Sequence, residues 1–145
     1  MIKLRVVLDT NVLVAASRSR LGASFAVLRA MREQRFIALV SVPLMLEYEA
    51  VLLRPEQLAV SQRRVDQTVA FLDAFCVLAE PVHLHYLWRP QLRDPADEMV
   101  LETALNGRAD GLVTMNGADF TPAARFRLPV LTPAAFLMQL NEEKS

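Results

Sequence analysis

Short apolar segments alternate with helical segments along the whole chain, and this alternation constrains the fold more than any other feature of the sequence. The predicted strands are residues 4–8, 36–40, 82–86, 112–114 and 130–131. Strands that are apolar along nearly their whole length are typical of a parallel sheet covered by helices on both faces. We therefore predict an α/β fold with a central, mostly parallel sheet of about five strands.

Residues that cap helices well mark the predicted helix starts. These capping residues are Ser24, Ser41, Ser61, Asp94 and Thr132. Pro95 stands directly after Asp94, where proline favours a helix start, and Gly107 is expected to end that helix. In open α/β sheets, ligands bind at the carboxyl ends of the strands. We expect the functional residues at that edge.

Length and composition indicate one globular domain. The chain has 145 residues, of which 53% are hydrophobic, which is enough for a sizeable core. We assign residues 1–140 to a single domain and residues 141–145 to a polar C-terminal tail. The single cysteine, Cys76, excludes a disulfide framework and a cysteine-rich zinc site. Because no apolar run is long enough to span a membrane and no signal peptide is recognisable, we expect a soluble cytoplasmic protein.

The charged residues exclude several classes of enzyme. Sixteen basic and sixteen acidic residues give a net charge of zero, so any binding to nucleic acid must come from a local patch. The only lysines are Lys3 and Lys144, near the two ends, which excludes a P-loop and a central Schiff-base lysine. The same lack argues against phosphatases that form an aspartyl phosphate, in which a second aspartate would also replace Asn11.

Four acidic residues fall at predicted strand ends or near helix starts: Asp9, Glu47, Asp97 and Asp119. Asp9 directly follows the first strand, although an aspartate there could also simply cap the next helix. Glu47 shares a helix line with Leu44 and Val51, where a carboxylate is costly unless it is paired or bound to a metal. A solvated position at the edge of that stripe fits the spacing equally well, and Glu49 competes for either role.

The third acidic position lies on the helix that Asp94 is expected to cap. Asp97 falls in the first turn, where negative charge suits the helix dipole. It also shares a helix line with Leu101, which predicts that Asp97 faces the core. A separate line on this helix, predicted to face outward, holds Glu98 and Glu102.

The fourth acidic position follows the predicted strand 112–114. Thr114, Asn116 and Asp119 all carry side-chain oxygens suited to a site at the carboxyl edge. The pair Asn116–Gly117 is also a strong turn signal on its own.

Carboxylates that converge with no lysine nearby cannot all stay ionised in a dry pocket. Divalent metal ions relieve that repulsion, and ligands that are all oxygen favour Mg²⁺ or Mn²⁺. Two such ions about 3.5–4 Å apart can activate a water and stabilise both oxygens of a phosphodiester displacement. His83 and His85 alternate on one predicted strand and are an alternative metal site, although an ordinary exposed or satisfied pair is the simpler interpretation.

The segments that hold these acids resemble the four motifs of the PIN domain family. The matching segments are 6–13, Ser41 with Glu47, 93–98 with Leu101 and Ala104, and 112–120. Their order and spacing agree with the family over residues 4–140, and the chain is most similar to the VapC-like toxins of bacterial and archaeal toxin–antitoxin pairs. The resemblance implies a three-layer α/β/α sandwich.

The resemblance also implies a Mg²⁺- or Mn²⁺-dependent ribonuclease whose catalytic and metal-binding acids are Asp9, Glu47, Asp97 and Asp119. Supporting polar residues would be Thr10, Asn11, Asp94 and Thr114. Many relatives carry aspartate where this chain has Asn116, which keeps an oxygen ligand but removes one charge. A weaker second metal site is one consequence of that change.

The implied partners are an RNA substrate, a small antitoxin and a second copy of the chain. The apolar helix faces at residues 44–53 and 65–76 are candidate partner surfaces, with packing in the core as the alternative. RNA contacts would rely on Arg18, Arg20, Arg89 and Arg93, which flank the motifs. Two other functions stay open: a PIN fold that binds RNA or protein without cutting, and a housekeeping RNA-processing nuclease.

Overall fold

The computed structural model describes residues 2–86 and 91–144 and contains one five-stranded sheet. The strands are β1 (Arg5–Leu8), β2 (Ile37–Val40), β3 (Glu80–Pro81), β4 (Gly111–Val113) and β5 (Val130–Leu131). Their order across the sheet is β3-β2-β1-β4-β5, and every neighbouring pair is parallel. The predicted α/β class and parallel sheet are therefore confirmed.

Seven α-helices and one 3₁₀ segment surround this sheet in the part of the chain that the structure describes. They are α1 (Thr10–Arg18), α2 (Ala23–Arg32), α3 (Val42–Leu52), α4 (Pro55–Ser61), α5 (Val65–Leu78), α6 (Pro95–Asn106), α7 (Pro133–Lys144) and the 3₁₀ segment Gly117–Phe126. Helix α2 packs against α1 and α7, α1 also packs against α3, and α3 packs against α5 and α6. The resulting layers are those of a three-layer α/β/α sandwich.

The two central strands are buried on both faces, which explains their unbroken apolar sequences. Val7 and Leu8 of β1 and Leu112 and Val113 of β4 are fully buried. Burying one such side chain contributes about 1.5–3 kcal/mol, so these strands anchor the core. An edge-to-face contact between Phe36 and Phe136, with ring centroids 4.9 Å apart, ties α7 to the segment before β2.

Strands β1 and β4 end side by side although they are far apart in the sequence. Leu8 pairs with Val113 in register, and the Asp9 amide donates to the Val113 carbonyl at 2.9 Å. Because the strands are parallel, the residues that follow them emerge at the same edge of the sheet. Asp9 and Thr114 therefore meet there.

The prediction of a third strand over residues 82–86 was wrong, because β3 comprises only Glu80–Pro81. One further ladder bond joins the Val82 amide to the Val40 carbonyl at 2.8 Å. Beyond it, the amides of His85 and Tyr86 donate to the Asn106 side chain at 2.9 and 3.0 Å. A side chain of α6 thus replaces the neighbouring strand as hydrogen-bond partner.

Two of the predicted helix caps were also wrong. Ser24 lies inside α2 and is buried, and the N-cap position belongs to Gly22. Ser61 ends α4, a helix that the sequence analysis missed, and α5 begins after Arg64. Ser41 and Asp94 do cap their helices, accepting hydrogen bonds from the amides of Leu44 (3.3 Å) and Ala96 (2.9 Å).

The last helix, α7, continues to Lys144 and so includes most of the segment for which we expected a polar tail. Across the described part of the chain, no helix is both long and apolar enough to cross a lipid bilayer. The single cysteine, Cys76, is exposed on α5.

Candidate functional site

Asp9 is the buried centre of the carboxyl edge, with only 6% of its surface exposed. It occupies the N-cap position of α1, yet its side chain makes no capping hydrogen bond. Instead the Thr114 hydroxyl donates to Asp9 Oδ2 at 2.7 Å. Helix capping alone therefore does not explain this aspartate.

Thr114 connects two segments at this edge. Besides donating to Asp9, its Oγ1 accepts from Asn11 Nδ2 at 3.4 Å and from the Asn116 amide at 3.1 Å. Asn11 Oδ1 in turn accepts from the Met115 amide at 3.2 Å. The start of α1 and the segment after β4 are thereby fixed to each other, with Thr10 half-buried between Asp9 and Asn11.

Asp97 lies on the first turn of α6, half-buried, and the apolar residues on its helix line, Leu101 and Ala104, are buried as expected. Burial raises the pKa of Asp97 to about 7, with further contributions from the negative charges of Asp9, Asp94 and Asp119. These three acids therefore lie near Asp97.

The pKa of Asp9 is raised as well. Burial is the main cause and the charge of Asp119 adds to it, while the Thr114 hydroxyl and the nearby amides of Thr10 and Asn11 oppose the shift. Three of the four predicted acids, Asp9, Asp97 and Asp119, are therefore close enough to affect one another electrostatically.

Asp94, Asn116 and Asp119 form the exposed rim of this acidic cluster. Asp94 caps α6, and Asp119 lies in the 3₁₀ segment, where its amide donates to the Asn116 carbonyl at 3.1 Å. The Asn–Gly turn signal thus coincides with a turn that carries Asp119 back toward Asp97.

Glu47 is half-buried on α3 and is not among the charges that raise the pKa of Asp97 or Asp9. Its neighbour Tyr48, which the sequence analysis did not single out, is fully buried, and its hydroxyl donates to the Leu8 carbonyl. Burial, followed by the charge of Asp9, raises the pKa of Tyr48, so this hydroxyl stays protonated. The position of Tyr48 directly after Glu47 was the signal in the sequence that could have identified Tyr48.

The prediction that Glu98 and Glu102 face outward was wrong, because both are buried, at 3% and 0% exposure. Helix α6 packs against β1, β2, β4 and α3, so its buried face is wider than a single line of residues. Glu98 Oε1 accepts hydrogen bonds from the amides of Gln91 and Leu92, at 2.5 and 2.7 Å. Glu98 thus ties the segment before Asp94 to the first turn of α6.

The acidic cluster suits a hard divalent cation in its chemistry. Its candidate ligands are all carboxylate and amide oxygens, and the charges of neighbouring acids add to the effect of burial in raising the pKa values of Asp9 and Asp97. Within residues 2–86 and 91–144, no three His, Cys, Asp or Glu side chains already stand close enough together to hold an ion. The donor set therefore fits Mg²⁺ or Mn²⁺, while binding requires the acids to draw closer.

The two histidines and the arginines that were predicted to bind metal or RNA lie outside the acidic cluster or outside the described residues. His83 and His85 are both exposed, with ring centroids 6.3 Å apart, and lie outside any strand. Arg18 is bound through its guanidinium to Gln57, which the sequence analysis missed because it lies on the unpredicted helix α4. Arg20 and Arg93 are exposed, and Arg89 lies outside the described residues.

Solved structures of other proteins resemble this chain in fold. No curated protein sequence matches the chain. The structure is similar to VapBC2 from Rickettsia felis, solved bound to a DNA fragment from their promoter, at TM-score 0.59 and 16% identity over 89% of this chain and 98% of that one. FitAcB from Neisseria gonorrhoeae has TM-score 0.50 and 20% identity over 88% and 97% of the two chains.

These likenesses concern the fold, and the sequence itself supplies the family. The profile of the PIN domain family matches residues 5–118, which span the first acidic position through the turn after β4. That range includes Asp9, Glu47 and Asp97, and it covers four of the five strands. With the motif order, the sheet and this match all in agreement, the chain belongs to the PIN domain family.

Proposed function

We propose that this protein is a metal-dependent ribonuclease that hydrolyses RNA phosphodiester bonds. The observation that carries the proposal is the convergence of Asp9, Asp97 and Asp119 at the carboxyl edge, where the pKa of Asp97 is raised to about 7. Acids that repel one another in this way gain the most from a bound cation. Phosphodiester hydrolysis is a reaction that such a cation assists.

Each residue of the cluster has a separate task in this proposal. Asp9 and Asp97 would hold Mg²⁺ or Mn²⁺, with Asp119 and Asn116 as further oxygen ligands. When bound, the ion polarises a phosphate oxygen and lowers the pKa of a water molecule. Thr114 orients Asp9 through its 2.7 Å hydrogen bond.

The remaining residues position this cluster. Asn11 and Thr10 connect Asp9 to α1, and Asp94 fixes the start of α6. Glu47 is the proposed fourth acid, either as a ligand of a second ion or as the group that orients the attacking water. It is adjacent to Tyr48, whose hydroxyl contacts the carbonyl of the residue before Asp9.

We also propose that the chain is the cytoplasmic toxin of a toxin–antitoxin pair and forms a homodimer. The complexes of similar fold are named VapBC2 and FitAcB. Exposed apolar residues support a partner surface on α5, where Val65, Val69 and Val77 are 56%, 40% and 82% exposed. On α3, Leu46 is 59% exposed. Apolar side chains gathered on exposed helix faces mark interaction surfaces.

The decisive test is incubation of the purified protein with mixed RNA, with and without Mn²⁺ or Mg²⁺, beside Asp97→Asn. We expect metal-dependent cleavage that Asp97→Asn abolishes. Glu33→Gln, which neutralises an exposed acid at the end of α2, is the control and should cleave normally. Metal binding without cleavage of any RNA would contradict the proposal and favour a PIN fold that only binds.

A further inference from the structure

A polar cleft separate from the acidic cluster lies where the end of α1 approaches the α4–α5 connection. Its volume is about 420 Å³, and three arginines line it: Arg18, Arg20 and Arg63. The rest of the lining consists of serine and glutamine side chains. Every residue of this arginine cleft offers a hydrogen-bond donor, and none is acidic or apolar.

The guanidinium of Arg18 is held in place by neutral groups. Its Nε and Nη2 donate to Gln57 Oε1 at 3.0 and 2.7 Å, and Gln57 is only 4% exposed. Gln57 Nε2 donates to Ser17 Oγ at 2.6 Å, and Ser17 Oγ donates to the Val14 carbonyl at 2.7 Å. This chain of hydrogen bonds orients Arg18 without cancelling its charge.

No acid among the residues that the structure describes forms an ion pair with the arginines of the cleft. The ion pairs among the residues that the structure describes are Arg5–Glu80 and Arg64–Asp66, and neither lies in the cleft. The net charge of the whole chain is zero, so the cleft is a local excess of positive charge. Such an excess attracts an anionic ligand from outside.

The arginine cleft lies one helix length from the acidic cluster. Arg18 ends α1, Arg20 lies in the turn between α1 and α2, and Ser24 at the start of α2 donates to Met115 Sδ at 3.5 Å. Met115 directly follows Thr114. Helix α1, nine residues long, begins at the acidic cluster and ends at the cleft, so the two lie roughly 13 Å apart.

We propose that the arginine cleft binds the phosphate backbone of the RNA strand whose scissile bond reaches the acidic cluster. The inference rests on the proposed ribonuclease function and adds to it the site that holds the substrate. A cluster of carboxylates repels a polyanion, so the strand needs a cationic contact nearby. Arginine suits phosphate because its planar guanidinium donates in pairs to phosphate oxygens.

The test measures binding of a fluorescent single-stranded RNA in EDTA, so that cleavage plays no part. The variant Arg18→Gln/Arg20→Gln/Arg63→Gln should weaken affinity by at least about tenfold and flatten the salt dependence by about two units of slope. The double variant Arg20→Gln/Arg63→Gln leaves the Arg18–Gln57 contact intact and should show an intermediate loss. Thermal unfolding of each variant checks that the fold is retained.

The matched control removes three arginines from the opposite edge of the sheet. Arg108, Arg125 and Arg127 are exposed and precede β4 and β5, so they lie toward the amino ends of the strands. Their triple change to glutamine alters the net charge equally and should change RNA affinity less than about twofold. An equal loss in both triple variants would overturn the proposal, because it would assign binding to the overall charge.

A second probe distinguishes RNA from an acidic protein segment. If poly-L-glutamate binding falls in the triple cleft variant while RNA binding does not, the cleft is a protein site and the proposal is wrong. Cleavage is assayed separately with Mn²⁺. A protein that binds RNA through the cleft without cutting contradicts the ribonuclease function alone, whereas normal RNA binding by the cleft variants contradicts this inference alone.

Discussion

The Thr114 hydroxyl donates to the buried carboxylate of Asp9 at 2.7 Å, across the ends of two neighbouring parallel strands. This hydrogen bond lowers the pKa of Asp9 against the effect of burial. In Thr114→Val, a change of similar shape, we expect the pKa of Asp9 to rise and the fold to lose about 1–3 kcal/mol. Carboxyl NMR titration and urea unfolding measure the two effects.

Thr114→Ser is the control for this change because it keeps the hydroxyl. It should retain a pKa of Asp9 close to that of the original chain and most of any metal-dependent activity. An unchanged Asp9 titration in Thr114→Val would show that the contact does not favour the ionised carboxylate.

Asp97 makes the stability of the metal-free protein depend on pH. Its pKa is about 7 in the fold against an ordinary value of 3.8, so the folded chain holds a proton that the unfolded chain releases. Stability should therefore fall as the pH rises from about 4 to 7, and the loss is complete above the folded pKa. Below pH 4 Asp97 is protonated in both the folded and the unfolded chain, so it does not make stability depend on pH.

Asp97→Asn removes this penalty. At pH 8 in EDTA we expect the variant to be more stable than the original chain by about 1 kcal/mol, a value held down because Asp97 is partly exposed to solvent. At pH 3.5 the two should unfold alike. Chemical unfolding at both pH values tests this expectation. A less stable Asp97→Asn at pH 8 would contradict the raised pKa of Asp97.

Glu98 should be important for stability although it is not one of the proposed metal ligands. Its carboxylate accepts from the amides of Gln91 and Leu92, and the residue is 3% exposed. Glu98→Ala leaves both amides without their acceptor, which should cost about 2–4 kcal/mol in unfolding free energy. Glu98→Gln keeps an acceptor oxygen and should cost less. Equal losses in the two variants would assign the effect to packing rather than to the hydrogen bonds.

The exposed valines of α5 give a test of the proposed dimer. Val65, Val69 and Val77 repeat at intervals of four and eight residues and so share one helix face. Val77→Glu places a charge on the most exposed of them and should convert a dimer into a monomer without loss of stability. Light scattering measures the mass, and Met138→Glu, which places the same charge on an exposed apolar residue of α7, serves as the control. An unchanged mass would place any interface elsewhere.

The sequence predicts the sheet and the position of Asp9 because apolar strands and the acids that follow them are local signals. Such signals wrongly predicted a strand over residues 82–86. The amides of His85 and Tyr86 bind the side chain of Asn106, which belongs to a helix distant in the sequence. The buried state of Glu98 and Glu102 was missed for a similar reason: helix periodicity reveals one face, whereas α6 packs against strands and a helix together. Predicting that Asp9 lies next to Thr114 would have required the order of the strands in the sheet, which the periodicity of the sequence does not give.

The contact between Asp9 and Thr114 also has a consequence for protein synthesis. The two residues are separated by 105 positions, and β4 lies beside β1 in the finished sheet. The ribosome releases Asp9 more than a hundred residues before Thr114. A nascent chain therefore carries the first acid without the edge that orients it, and the centre is assembled only after β4 has been made.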